Sequence, residues 1–396
     1  MSPTPDSIAH QLQQSRQQQR YRSRQRVTAV NGHRVVVNGQ PLLNFCSNDY
    51  LGLSHHPQLI AAEQQGAARF GAGSGASHLI SGHNHDHHRL EQALADLTGQ
   101  EAALLFANGY MANLALLTTF SDRHDTLYCD KLNHASLIDG ARLSRAKIKR
   151  YPHRDMATLS RLLEQSRQGS ATIATDSIFS MDGTLAPLDQ LYALTDPEST
   201  PSPRWLIIDD AHAFAVLGPR GEGSLAHFGL PPRDNVIQMG TLGKGAGVYG
   251  AFVAGSQQVV ERLIQRGRSY IYTTALPPAI AAGLRQSIAL IESEEGAIRR
   301  QQLHHHIDHF RTLSQQLSLP ISDSMSAIQP LLTGSETNAL SWSAQLQQRG
   351  FWVSAIRPPT VPEGGSRLRI TLSASHTTAD IEALVAALAE TITPYI

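Results

Sequence analysis

Cysteine is nearly missing from this chain. Cys46 and Cys129, two in 396 residues, supply neither a disulfide framework nor a cysteine zinc site. Net charge is missing too. The 33 basic and 33 acidic residues balance to zero, which removes the electrostatic case for nucleic acid or an anionic membrane as a partner. No run approaches the ~18 uninterrupted apolar residues of a spanning helix, and the opening MSPTPDSIAHQLQQ lacks the apolar run of a secretory signal. What is present points to a cytoplasmic α/β enzyme. Apolar residues make up 41% and charged residues only 17%, so a large core can be buried. At ~150 residues per domain, the length predicts two domains or one large domain with an appendage.

The first thirty residues form an arm rich in Gln and Arg. Arg16, Arg20, Arg22, Arg24 and Arg26 suit either a solvated helix end or contact with a phosphate-bearing ligand. VVVNGQPLL then predicts a hairpin, because Asn38-Gly39 is a favoured two-residue turn. From residue 102 onward, short apolar runs alternate with amphipathic stretches: AALLF, TLY, TIA, WLII, VIQM and AFVA. That rhythm predicts a mostly parallel sheet buried on both faces. A long helical stretch is expected over 279–310. The tail then reads as SAIQPLL, a helix over 336–349, FWVSAI, SRLRITLS and a terminal helix opened by Thr377 and Asp380, a small α+β domain. The expected division is 1–45 for the arm and hairpin, 46–288 for the large domain and 289–396 for the small one.

Two glycine-rich segments imitate nucleotide loops and fail. GAGSGAS at 71–77 follows a helical pattern rather than a strand, and in GTLGKGAG only two residues separate Gly240 from Gly243, with Gly following Lys244. The histidine-dense runs GHNHDHHRLE and HHHIDH lack an HExxH motif or a cysteine partner, so no metal is expected. More informative are groups just beyond strand ends, where open α/β sheets bind ligands. WLIIDDAHA places Asp209, Asp210 and His212 there, and VIQMGTLGKG places Thr241 and Lys244. A lysine among glycines can form a Schiff base, and a nearby carboxylate keeps a pyridine nitrogen protonated; pyridoxal phosphate enzymes use this pair. A surface lysine in a glycine-rich turn remains the plain alternative. Asn108-Gly109-Tyr110 opens a helix where an anion would be welcome. Thr241, Tyr272-Thr273-Thr274, Ser180 and His134 add further candidates.

CSNDYLGL (46–53), GAGSGASHLISG (71–82), ANGYMAN (107–113), DKLNHASLIDG (130–140), SIFSMDGTLAPL (177–188), DDAHAFAVLGPRGEG (209–223) and TLGKG (241–245) together resemble the α-oxoamine synthases. These fold-type I pyridoxal phosphate enzymes condense an amino acid with an acyl thioester and release CO2. SNDYLGLSHHP and AIRPPTVPEGGSRLRITLSASH are similar to the biotin-pathway branch. The resemblance implies a large domain with a mostly parallel sheet plus a small C-terminal domain, usually as a homodimer. It implies that Lys244 joins the cofactor aldehyde, Asp209 pairs with the pyridinium nitrogen, His212 bonds the ring's phenolic oxygen and His134 stacks on the ring. Gly109, Tyr110, Ser180, Thr241, Thr273 and Thr274 would help hold the cofactor. Arg22, Asn48, His134, Thr360 and Arg369 would meet substrate. The implied substrates are L-alanine and pimeloyl-acyl-carrier protein or pimeloyl-CoA, with a glycine-using relative, an aminotransferase or a silent homologue as alternatives. His87 sits where the family has a histidine; its histidine neighbours carry no implied role.

Overall fold

Seven strands build the large sheet, and their sequences explain its burial. In chain order they are β1 (Ala102–Phe106), β2 (Thr126–Asp130), β3 (Lys147–Tyr151), β4 (Ala171–Asp176), β5 (Arg204–Asp209), β6 (Val236–Thr241) and β7 (Ala251–Gly255). The computed structural model describes residues 4–165, 169–199 and 202–392. The chain packs as two units, one of Asn48–Ser180 and Thr184–Leu303, the other of Met1–Ser47, Met181–Gly183 and His304–Ile396.

In the first unit the strand order is β1-β7-β6-β5-β4-β2-β3. β7 is antiparallel to both neighbours and every other pair is parallel, so six strands end at one edge and β7 alone runs against them. Side chains alternate between two cores. Leu127 and Cys129 face one with Ala112, Leu116 and Leu263, while Tyr128 faces the other with Leu159, Ile173 and Leu188. Each such fully buried aliphatic side chain stabilises by roughly 1.5–3 kcal/mol. The six apolar runs of the sequence all became strands, as expected. KIKRY did not read as a strand, yet it forms β3 at the sheet's free edge, where an exposed lysine costs nothing and discourages further pairing. The helical stretch expected over 279–310 is two helices, Pro278–Glu292 and Glu294–Gln316. Ser293 lies extended between them (ψ 170°), and its carbonyl accepts the Ala297 N–H at 3.1 Å. Pro278–Glu292 packs on Pro57–Phe70 and His85–Thr98.

In the second unit the hairpin forms as predicted. Arg34–Val37 and Gln40–Asn44 pair antiparallel about Asn38 and Gly39, both at positive φ (51° and 86°). The arm helix Pro5–Gln17 buries no residue. FWVSAI splits: Phe351–Trp352 pairs with Leu43–Asn44, whereas Ser354–Ile356 pairs with Arg367–Arg369 in a separate sheet. The terminal helix Thr378–Ile392 starts at the predicted capping box, Asp380 N–H to Thr377 Oγ1 at 3.1 Å and Thr377 N–H to Asp380 Oδ2 at 2.9 Å. Among the described residues no helix is long and apolar enough to cross a membrane.

His376 makes this unit acid-sensitive. Its Nδ1 accepts the Ser373 N–H at 3.0 Å, its Nε2 donates to the Asn44 carbonyl at 3.1 Å, and the ring stacks on Phe45 at 4.1 Å between centroids. Burial pushes its pKa from 6.5 down to about 3. The unfolded chain therefore binds a proton that the native state refuses, and stability falls as pH drops through that window. The expected slope from this residue is about 1.4 kcal/mol per pH unit. Urea unfolding between pH 6.5 and 5 should show it, and His376→Gln should flatten the dependence by that amount; an unchanged slope would assign the effect elsewhere.

Candidate active site

The shared edge of the six co-directional strands gathers the chemistry. Beyond β1 comes Gly109, beyond β2 His134, beyond β4 Ser177 to Ser180, beyond β5 His212 and beyond β6 Lys244. Lys244 is half-buried on a loop pressed against the chain that follows His212. A Cβ on Gly245 would lie 2.8 Å from the Phe214 carbonyl oxygen, so only glycine permits this approach.

Lys244 Nζ lies 2.9 Å from His212 Nε2, and His212 Nδ1 lies 2.5 Å from the Tyr50 hydroxyl, which donates to Asn48 Oδ1 at 3.2 Å. One set of hydrogens satisfies the whole series. The Lys244 ammonium donates to Nε2, Nδ1–H donates to Tyr50 Oη, and Tyr50 O–H donates to Asn48. His212 thus offers Lys244 a neutral acceptor within direct reach. The sequence pointed to Lys244, His212 and Asn48; Tyr50, which joins them, was missed.

A second network fixes Asp209, which is 4% exposed. Its Oδ1 accepts the Ala211 N–H at 3.0 Å and its Oδ2 accepts from Asn113 Nδ2 at 2.7 Å. The same Asn113 nitrogen donates to Ser136 Oγ at 2.8 Å, and Ser136 Oγ lies 2.8 Å from His134 Nδ1. Because Nδ1 also accepts the Ser136 backbone N–H at 3.3 Å, the hydroxyl must be the donor and the ring proton sits on Nε2. Burial, with Lys244 nearby, lowers the His134 pKa against the opposing pull of Asp209 and keeps the ring neutral. Asp176 is the direct cross-strand partner of Asp209 and accepts the His134 N–H at 2.8 Å. Burial first, then the Asp209 charge, raises the Asp176 carboxyl well above its usual range. Of these two adjacent acids, Asp176 is the one that burial and its neighbour push toward the protonated form.

Asn113, Ser136 and Asp176 were not read from the sequence. A signal existed for Asn113, a lone amide in an apolar helix, four residues after Gly109 and so on its face. Asn113→Ala removes the donor shared by Asp209 and Ser136. We expect about 1–3 kcal/mol lost from unfolding stability and about tenfold lower turnover, read by urea unfolding and steady-state assay. A variant unchanged in both would show the bridge to be idle.

Other sequence candidates fall as follows. Asn108 caps the helix Gly109–Phe120, accepting the Met111 N–H at 3.0 Å, so the first-turn N–H groups of Gly109 and Tyr110 open toward the strand ends. A Cβ on Gly109 would meet Thr241 Cγ2 at 2.7 Å, so the missing side chain lets this helix start lie against Thr241. The Thr241 hydroxyl donates to the Ala211 carbonyl at 3.2 Å, tying the β5 and β6 loops together. The Tyr110 hydroxyl donates to Asp139. Ser180 opens the turn enclosed by the Ile178–Leu185 bridge. Thr274 is exposed and bridges to Ser77, with Thr273 beside it. In the other unit, Arg22 Nη2 donates to Thr360 Oγ1 at 3.2 Å, and buried Arg369 Nη1 donates to Thr371 Oγ1 at 2.9 Å.

This donor set, a primary amine, a buried charged carboxylate, two neutral imidazoles and a glycine-opened helix start, fits a phosphorylated pyridine aldehyde. The family model for class I and II aminotransferases matches residues 40–388, and the chain belongs to that family. It is 52% identical to the 8-amino-7-oxononanoate synthase of Leptothrix cholodnii, covering 95% of this chain and 96% of that protein. Against the Cellvibrio japonicus 8-amino-7-oxononanoate synthase it is 49% identical, covering 97% and 95%. Within the aminotransferase family the chain falls among the 8-amino-7-oxononanoate synthases, so the resemblance seen in the sequence is borne out. The solved 8-amino-7-oxononanoate synthase from Francisella tularensis superposes with a TM-score of 0.78 at 31% identity over 90% of this chain and 99% of that one. A serine palmitoyltransferase from S. paucimobilis, solved with PLP and myriocin bound, reaches 0.91 at 25% identity over 98% and 97%. The fold is the expected fold-type I arrangement.

Proposed function

We propose that this chain is a pyridoxal phosphate-dependent acyltransferase that condenses L-alanine with a pimeloyl thioester. The products are 8-amino-7-oxononanoate, CO2 and the free thiol, a step of biotin synthesis. The observation that carries this reading is the Lys244–His212–Tyr50 series together with the Asp209–Asn113 pair, His212 standing three residues after Asp209. When bound, the cofactor supplies an aldehyde and a protonated pyridine ring that withdraws electrons from the amino acid's α-carbon.

The chain's own residues do the rest. Lys244 holds the cofactor covalently and then, as a free amine, removes the α-proton; a neutral His212 Nε2 beside it can take the proton that leaves the ammonium. Asp209 holds positive charge on the pyridine nitrogen, and Asn113 and the Ala211 N–H keep its carboxylate aimed. His134, neutral and oriented by Ser136, packs on the ring face. Gly109 and Tyr110 N–H groups and the Ser180 and Thr241 hydroxyls hold the ring oxygen and phosphate. Asn48 and Arg369 grip the amino-acid carboxylate, and Arg22 with Thr360 meets the acyl substrate. We take the functional segments to be 1–45, 46–288 and 289–396. The working form is a cytoplasmic homodimer in which Thr273 and Thr274 reach the neighbour's cofactor, with either acyl-carrier protein or coenzyme A as the thiol.

The experiment is a product assay on purified, cofactor-loaded protein given a pimeloyl thioester with L-alanine, glycine or L-serine. CO2 and free thiol released in equal amounts with L-alanine are expected. Release with glycine and a short acyl-CoA instead would move the chain to the glycine-using branch, and amino transfer to a keto acid without CO2 would make it an aminotransferase.

A further inference from the structure

The reaction leaves the histidines of residues 83–88 unused. Helix His85–Thr98 begins just after His83, and His88 and Glu91, three residues apart on it, share one face. Single ligand atoms of His83, His88 and Glu91 all lie within 4.8 Å of one another. Two of these groups are already held from behind. His83 Nδ1 lies 3.0 Å from His78 Nδ1, and Glu91 Oε1 accepts the Leu105 N–H at 3.0 Å. That leaves His83 Nε2 and Glu91 Oε2 facing each other at 3.9 Å, too far for a hydrogen bond.

We propose that His83, His88 and Glu91 form a binding site for one divalent late transition-metal ion of the zinc class. Metal–ligand bonds of about 2.0–2.1 Å in tetrahedral geometry set ligand atoms about 3.3 Å apart, so small side-chain shifts close the present spacing. The anchoring is of the kind such sites use. Nδ1–H donating to His78 turns the Nε2 lone pair of His83 toward the ion, and the Leu105 N–H fixes one carboxylate oxygen while the other remains to ligate. His88 is exposed and swings in from the helix. Three protein ligands leave the fourth position to water. The neighbouring trio His78, His83 and His87 is not equivalent. Buried His87 accepts the Asn84 N–H on Nδ1 at 3.1 Å and donates from Nε2 to the Leu276 carbonyl at 2.6 Å, so neither nitrogen is available. Bound metal would pin the segment carrying His83 to the first turns of the helix. The site stands apart from the Lys244 networks, and its existence does not depend on the reaction proposed above.

The test is calorimetric titration of the cofactor-loaded full chain with zinc chloride in a non-chelating buffer. One zinc per chain is expected, weakened at least about tenfold in His83→Ala, in His88→Ala and in Glu91→Gln. The last keeps an acceptor for the Leu105 N–H, and unfolding temperatures check that each variant is intact. His305→Ala, on the other histidine-rich helix, should bind as the parent does. No zinc uptake by the parent, undiminished binding in both His83→Ala and His88→Ala, or loss of binding in His305→Ala would overturn the assignment.

Discussion

Lys244→Ala is expected to abolish turnover, a loss on the order of 10⁴-fold or more. The upper range for removing a positioned proton-transfer group is about that size, and this side chain also gives up covalent attachment of the cofactor. The structural cost should be small. Lys244 is half-buried on a loop, and the glycine contacts that shape the loop belong to Gly245 and Gly247 rather than to the amine. His212 keeps its 2.5 Å contact with Tyr50 and so should stay in place. The measurement pairs thiol release with borohydride reduction and peptide mapping. The parent should carry reduced cofactor at position 244, the variant none, with closely similar unfolding midpoints. Near-parental turnover in the variant would end the assignment.

Asp209→Asn should cost roughly 3 kcal/mol of transition-state stabilisation, on the order of 10²-fold in rate. Both carboxylate oxygens accept from N–H donors, one from Ala211 and one from Asn113. An amide offers a single acceptor oxygen, so its NH2 must oppose one of those donors, adding about 1–3 kcal/mol of lost stability. Asp176 is a poor substitute for the lost charge, because burial and its neighbour raise its carboxyl well above the usual range. Reading kcat with L-alanine alongside urea unfolding separates the two effects. Parental kcat in a variant that folds normally would contradict the charge-holding role.

Much of this is legible in the amino-acid sequence. The strands of the sheet interior announced themselves because a sheet covered on both faces demands unbroken apolar runs. β3 hid because an edge strand answers to solvent as much as to the core, and its lysines read as surface. The break at Ser293 hid because helical periodicity continues on both sides and a serine cap is a local event. FWVSAI gave the right conformation but no hint that its halves join different sheets, a matter of long-range pairing. Lys244, Asp209, His212 and His134 were legible because each ends or follows a strand and has distinctive chemistry. Tyr50, Asn113, Ser136 and Asp176 act by holding those four, and a supporting hydroxyl or amide looks like any other until its partner's position is known.

A buried carboxylic acid that keeps its proton has a carbonyl vibration apart from that of every ionised carboxylate. Asp176, in register with Asp209 and pushed toward the protonated form by burial, therefore offers a native infrared reporter: isotope editing at this one residue would read which form it takes and let the local electric field be followed without adding any probe.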